Sequence, residues 1–184
     1  GIAYQMHGLV LIDKEQQVLR DSIIWCDSRA VSIGNRAFQE IGQQKCLSAL
    51  LNSPGNFTAS QLACVKENEP DIYAKTDKIL WPGDFIAMKF TGETTTTISA
   101  LSEGIFWDFS KKALSEDVFG YYGLETSFIP PVKKVFETHG LIKKEVADKL
   151  SLSAGIPVAY KAGDQLNNAL SLNVMQPGEI AATA

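Results

Sequence analysis

The sequence predicts an α/β fold, a mixed sheet flanked by helices. Three observations lead there. Short β-branched and aromatic runs alternate with stretches of helical period along the 184 residues. The first runs, within residues 1–25, lie too close together for helical crossovers, so they should pair antiparallel. Near the far end, residues 156–160 (IPVAY) read as a buried strand that ends in Gly163 and Asp164 and passes straight into an amide-rich helix.

Along the chain, two apolar runs flank His7 and Gly8, and the second closes on the polar turn Asp13, Lys14, Glu15, Gln16. Val18 with Leu19, then residues 22–25, read as further strands. Asp27 or Ser28 can cap the helix that follows, where Ile33, Ala37 and Ile41 recur every fourth residue and Phe38 widens the stripe. Residues 52–56 form a loop. The best-marked helix covers residues 57–68. Thr58 and Gln61 have the spacing of a capping box, Phe57 and Leu62 that of a hydrophobic staple. Pro70 lies just past its end. Lys78, Ile79 and Leu80 read as a strand, and Pro82-Gly83-Asp84 starts a helix with Asp84 as its cap. The four threonines at 94–97 suit a strand edge or loop, and residues 105–108 another strand end. Residues 114–122 and 142–150 read as helices separated by Pro130 and Pro131; Ile142, Val146 and Leu150 share a face. A last helix covers residues 165–172, and residues 178–184 read as the beginning of a strand.

The totals exclude several classes. Hydrophobic residues make up 45% and charged residues 21%, which is the balance of a globular chain rather than a disordered one. A net charge of −4 gives no counterion-release drive toward DNA or an anionic membrane surface. No apolar run approaches the roughly 20 residues of a membrane span. Cys26, Cys46 and Cys64 are odd in number and widely spaced; with only two histidines they form neither a zinc pattern nor a disulfide framework. That suits a reducing, cytoplasmic setting. Both ends of the chain read as the inside of strands, as expected of a piece of a longer protein.

Two stretches carry chemistry. In "IPVAYKAGDQLNNAL" (156–170), Gly163 permits a tight turn or close approach by a ligand. Asp164 lands at the helix N-cap, where the positive end of the dipole favours an anion. In "YQMHG" (4–8), His7 offers a hydrogen-bond donor and an acceptor, and Met6 an apolar wall. Alone, Asp164 reads equally as a plain cap and His7 as a structural histidine. Asp27 and Arg29 read as a structural ion pair, and Trp81 and Trp107 as core aromatics. The cysteines have no histidine nearby in sequence, which argues against a thiol nucleophile.

Taken together, these stretches resemble the FGGY family of carbohydrate kinases, most closely its xylulokinase branch. The matching segments are residues 1–13, "IIWCDSR" (23–29), "NFTASQLACVKENEP" (56–70), "PGDFIAMKFTGE" (82–93), "AGDQ" (162–165) and "PGEIAATA" (177–184), in the family's order over nearly the whole chain. The resemblance implies a ribonuclease-H-like fold, as in actin and hexokinase, with residues 1–172 most of the N-terminal sugar-binding domain and residues 173–184 the start of the second. It implies phosphorylation of a sugar hydroxyl with ATP and Mg2+, D-xylulose being the sugar that Gln5, Met6 and His7 favour. Asp164 matches the catalytic base, Met6 and His7 the ketose contacts. Gln165 follows the base and Trp25 falls in a segment lining the sugar pocket. The chemistry is coherent, because phosphoryl transfer depends mostly on positioning and a carboxylate can align the hydroxyl and take its proton.

The chain departs from the family in carrying Gln61 and Cys64 where Lys and Trp are usual, and a bulky Leu166 after Gln165. The family's phosphate loops would fall before Gly1 and after Ala184, so this piece alone is expected to be inactive. Sheet edges opened by truncation would invite a homodimer. The rival readings are a kinase for glycerol, ribulose, fuculose or gluconate, and a non-catalytic sugar binder.

Overall fold

The computed structural model describes residues 1–182. Its elements in order are β1 (Ile2–Tyr4), β2 (Val10–Ile12), α1 (Val31–Ile41), α2 (Gln43–Ala49), α3 (Thr58–Asn68) and α4 (Pro70–Lys75). Then come β3 (Lys78–Leu80), α5 (Pro82–Thr91), β4 (Thr96–Thr97), α6 (Ile98–Glu103), β5 (Trp107–Asp108), β6 (Ala113–Leu114) and α7 (Glu116–Tyr122). A 3₁₀ turn (Thr126–Phe128), β7 (Val132–Lys133), α8 (Lys144–Leu150), β8 (Lys161–Gly163) and α9 (Asp164–Ser171) complete it.

The strands pair two by two. β1 runs parallel to β8 and β4 parallel to β7; β2–β3 and β5–β6 are antiparallel. The α/β class and the mixture of strand senses are as expected. Among the described residues, however, the strands form four separate pairs rather than one continuous sheet.

Several local expectations give way to side-chain chemistry. Val18 and Ile23 make only single antiparallel bridges, to Ile12 and Leu9. The carboxylate of Asp13 draws the Glu15 and Gln17 amides into a tight turn, and the Asp27 amide turns back to the Ile24 carbonyl, so neither ladder extends. α1 is capped by neither Asp27 nor Ser28, because Asp27 is engaged by Arg29 at 2.7–2.9 Å. α3 begins one residue earlier than a capping box requires. Phe57 is its N-cap, Thr58 lies inside the first turn with a buried, unpartnered hydroxyl, and Gln61 reaches the Asn56 carbonyl at 3.3 Å. Pro70 opens α4 at its first turn, where its missing N–H is harmless.

The strand expected at 156–160 lies later, at β8. The segment makes one bridge, Pro157 to Leu141, flanked by the Ile142 amide donating to the Ile156 carbonyl and the Val158 amide donating to the Gly140 carbonyl, and extends no further as a strand. Ile156 is 41% exposed, and only Val158 of the pair Ile156 and Val158 is buried. Residues 178–182 form no strand. The Met175 and Gln176 amides donate to the Glu179 carboxylate and fold the chain into a turn. Residues 183 and 184 lie outside the described residues. Leu150, expected on a buried face, is exposed, while Ile142 and Ala147 are buried beneath α8.

The main core gathers Leu9, Leu11, Ile23, Leu62, Val65, Ile79, Trp81, Leu101, Phe106 and Phe119. Trp81 meets Phe106 edge to face at 6.0 Å, and Trp107 packs against the same cluster. Cys46 and Cys64 are buried and Cys26 is exposed. Among the described residues no helix is long and apolar enough to cross a membrane.

Asp84 is not a helix cap. It sits inside the first turn of α5, 1% exposed, with its carboxylate 2.6 Å from the Lys161 ammonium, itself 1% exposed. Lys161 also donates to the Thr95 carbonyl at 2.7 Å. Burial pushes the Asp84 carboxyl up and the Lys161 ammonium down, and each charge opposes the other's shift. Removing one partner should therefore cost more than removing both. Lys161→Met should destabilise the fold by about 3–5 kcal/mol, and Lys161→Met with Asp84→Leu by much less, as read by urea denaturation.

Candidate functional site

The site begins with two parallel strands that end together. Tyr4 of β1 stands opposite Gly163 of β8, so the residues that follow each strand emerge at one edge. The carboxyl ends of parallel strands are where open α/β folds bind ligands. Alternation then sorts the side chains after β1. Tyr4 is buried, Gln5 is exposed, and Met6 is partly buried again.

On the β8 side, Gly163 is the N-cap of α9 and Asp164 its first residue, one place further in than the sequence suggested. The Asp164 Oδ1 accepts the Gln165 amide at 2.8 Å, and the side chain is exposed at the positive end of the helix. Asn167 seals the turn beneath it by donating to the Ala162 and Gly163 carbonyls at 3.0 and 2.9 Å. Tyr160 donates to the Asn167 Oδ1 at 3.1 Å. Gly163 is required by space: a Cβ there would press into the Met6 side chain and lie 2.8 Å from Glu103 Oε2.

Met6, His7, Trp25, Asp164 and Gln165 line one groove of about 320 Å³. Trp25 is 61% exposed and stands as an open wall of it. Gln5 lies apart. It lines a separate cavity of about 250 Å³ with Val10, Arg20 and Pro82, because the strand's alternation turns it to the other side. A larger, mostly apolar cavity of about 510 Å³ adjoins the groove, sharing Met6 and His7 and adding Ile98, Phe109 and Leu166. The bulky Leu166 thus points away from the groove wall that Asp164 and Gln165 form.

Sequence reasoning missed Glu103. It closes α6, 6% exposed, under His7 and Gly163. Its Oε2 makes no hydrogen bond of normal geometry, although the Tyr4 phenol stands close to the carboxyl. Burial first, then the charges of Asp84 and Asp164, push its carboxyl up to about 9, so it is neutral at pH 7. Burial also pushes the neighbouring Tyr4 phenol upward, with Glu103 adding to the shift. The His7 ring is lowered, chiefly by burial, and is therefore neutral as well. No local signal marked Glu103, since a Glu before a Gly at a helix end usually faces water.

A family model for the N-terminal domain of the FGGY family of carbohydrate kinases matches residues 1–171. The xylulose kinase of Escherichia coli K12 is 30% identical over 179 residues, covering 97% of this chain and 37% of that protein. Among solved structures, a xyloylose kinase from Brucella ovis superposes with a TM-score of 0.84 at 31% identity, over 97% of this chain and 36% of its own. A Plasmodium falciparum glycerol kinase reaches 0.87 at 20% identity, over 97% and 36%, a likeness of fold alone. The chain belongs to the FGGY family of carbohydrate kinases and has its actin-like fold. It spans just over a third of the length of the curated relatives it matches.

The raised Glu103 carboxyl has a sign that can be worked out. Its folded pKa of about 9 lies above the ordinary 4.5, so the folded state holds a proton that the unfolded chain releases. Stability is full below pH 4.5 and falls as pH rises toward 9, by up to about 1.4 kcal/mol per pH unit. Glu103→Gln cannot titrate. Its stability advantage over the wild type should grow steadily between pH 5 and about pH 9 in urea melts, and a constant difference would contradict the shift.

Proposed function

We propose that this chain is the sugar-facing domain of a longer ATP-dependent kinase that phosphorylates a sugar hydroxyl, converting D-xylulose to D-xylulose 5-phosphate. One observation carries the reading. Five residues that the family pattern singles out, scattered from position 6 to position 165, line a single groove. On this reading residues 1–172 are most of the N-terminal domain and residues 173–184 begin the second.

The roles follow from chemistry. Asp164 accepts the proton of the hydroxyl that attacks the γ-phosphorus, while the bond to the departing nucleoside diphosphate breaks. The carboxylate's own fixing bond, from the Gln165 amide, keeps one oxygen occupied and leaves the other for the substrate. His7 and Gln165 meet neighbouring hydroxyls, and Met6 and Trp25 pack on the carbon skeleton. Gln5 is assigned no contact here. The described residues hold no cluster of three or more His, Cys, Asp or Glu suited to a metal ion. On the family pattern, Mg2+ and ATP are assigned to the remainder of the longer protein, and the isolated chain to an inactive state.

The xylulose kinase names of the relatives at up to 31% identity favour D-xylulose over glycerol, ribulose, fuculose or gluconate. A non-catalytic sugar binder would not need Asp164 as a base, and Met6, His7 and Asp164 together argue against that reading.

In the full-length protein, Asp164→Asn should lower kcat by about 10²-fold or more while sugar affinity changes little. A variant with both kcat and affinity intact would remove Asp164 from the mechanism. A panel of the five candidate substrates with MgATP should give the highest kcat/KM for D-xylulose. The 184-residue chain alone should show no turnover in the same coupled assay; measurable ADP formation would overturn the division of labour.

A further inference from the structure

A histidine seldom rests in the left-handed backbone region unless its surroundings hold it there. His7 does, with φ at +66°. Its holder is Glu103, 96 residues further along the chain. The Glu103 main-chain carbonyl accepts from the ring Nδ1 at 2.8 Å, and its carboxyl Oε1 lies 3.5 Å from the His7 main-chain N–H. Phe57 backs the ring, with centroids 4.4 Å apart.

This arrangement fixes the proton. A carbonyl oxygen only accepts, so Nδ1 must carry the hydrogen of the neutral ring. Nε2 is then a bare acceptor, and it has no protein partner among the described residues. The ring lines the same groove as Asp164. The carboxyl that assists is itself costly. It is buried beside the Gly163 main chain with one oxygen unpartnered. A buried, incompletely satisfied polar group at the wall of a groove calls for a reason beyond packing.

We propose that Glu103 is a positioning residue of the sugar site. Its main-chain carbonyl keeps the imidazole in its Nδ1–H form with Nε2 ready to accept from a substrate hydroxyl, and its carboxyl, 3.5 Å from the His7 main-chain N–H, supports the left-handed turn that carries the ring. What His7 meets rests on the kinase reading above; how His7 is held does not. The consequence is selectivity. A sugar with a hydroxyl at that place gains a hydrogen bond, and the corresponding deoxy analogue leaves Nε2 unpaired.

Two readouts on the full-length protein separate the claims. Selective ¹⁵N labelling of histidine, with His7 assigned by its loss in His7→Gln, reads the tautomer. The wild type and Glu103→Gln should both show the neutral Nδ1–H form. An Nε2–H form in the wild type overturns the proposal, whatever the enzyme turns over. In kinetics, Glu103→Ala keeps the main-chain carbonyl but removes the carboxyl that steadies the His7 turn, so it should raise the sugar KM by up to about tenfold and leave the ATP KM unchanged. Glu103→Gln, which keeps an acceptor of the same shape, should restore the wild-type sugar KM. If Glu103→Ala does not fold, Glu103→Leu, which fills the space without an acceptor, takes its place in the kinetic test. A sugar KM unmoved by Glu103→Ala, or raised in Glu103→Gln, overturns the positioning role. A wild type inert toward every sugar in the panel overturns the kinase reading, and the tautomer then judges only the main-chain hold on His7.

Discussion

The buried pair between Lys161 and Asp84 governs the geometry on which the site depends. Lys161 is the first residue of β8, and three residues later the chain presents Asp164. Its ammonium reaches through the interior to a carboxylate on α5 and to the carbonyl of Thr95 just before β4. Three elements distant in sequence are thereby pinned at one point. An apolar side chain at 161 would fill space, and it would not choose among registers of β8 against β1. A charge that must find its partner does choose, because a slip by one residue would strand it. The pair is thus better understood as a device for registering Gly163 against Tyr4 than as a source of stability.

Once that register is set, the groove follows with little further choice. Parallel strands deliver their carboxyl ends side by side, so His7 and Asp164 approach although 157 positions separate them in the sequence. Gly163 lets Met6 and Glu103 close over the strand end without displacing it. Asn167 ties off the free carbonyls of the turn and prevents the first residues of α9 from fraying. The exposed Asp164 is then rigidly based although its own side chain is open to solvent.

The fold class was legible because it rests on local signals, whereas Met6, His7, Trp25 and Gln165 were singled out by the family resemblance, which also named Gln5, a residue that lines a different cavity. Lys78–Leu80, Pro82 at the start of α5, and the Gly-Asp step each declare themselves within a few residues. The misreadings share a different cause. Asp84 has every local mark of a cap, and only a lysine 77 residues away turns it inward. Thr58 and Gln61 have capping-box spacing, yet Phe57 is the N-cap and the helix takes in and buries both instead. Residues 156–160 look like a strand by composition, but they make only a single bridge to Leu141, and the strand pairing with β1 falls on a stretch containing a lysine, an alanine and a glycine. Glu103 left no trace at all. Its importance comes from what lies above it, which no window along the chain contains.

Glu103 also shows why burial and function are in tension here. Its raised carboxyl weakens the fold as pH rises, and a glutamine would keep the shape without that penalty. Its neutrality, however, is what allows it to sit close to Asp164. An ionised Glu103 would set two like charges close together across one strand end, one of them buried, which costs free energy. The protein resolves the conflict by depth. The carboxyl under the sheet edge is kept dry and neutral, and the one at the helix start is kept wet. Two acidic residues within one small region then do different work, one by holding a histidine in place and the other by facing the groove.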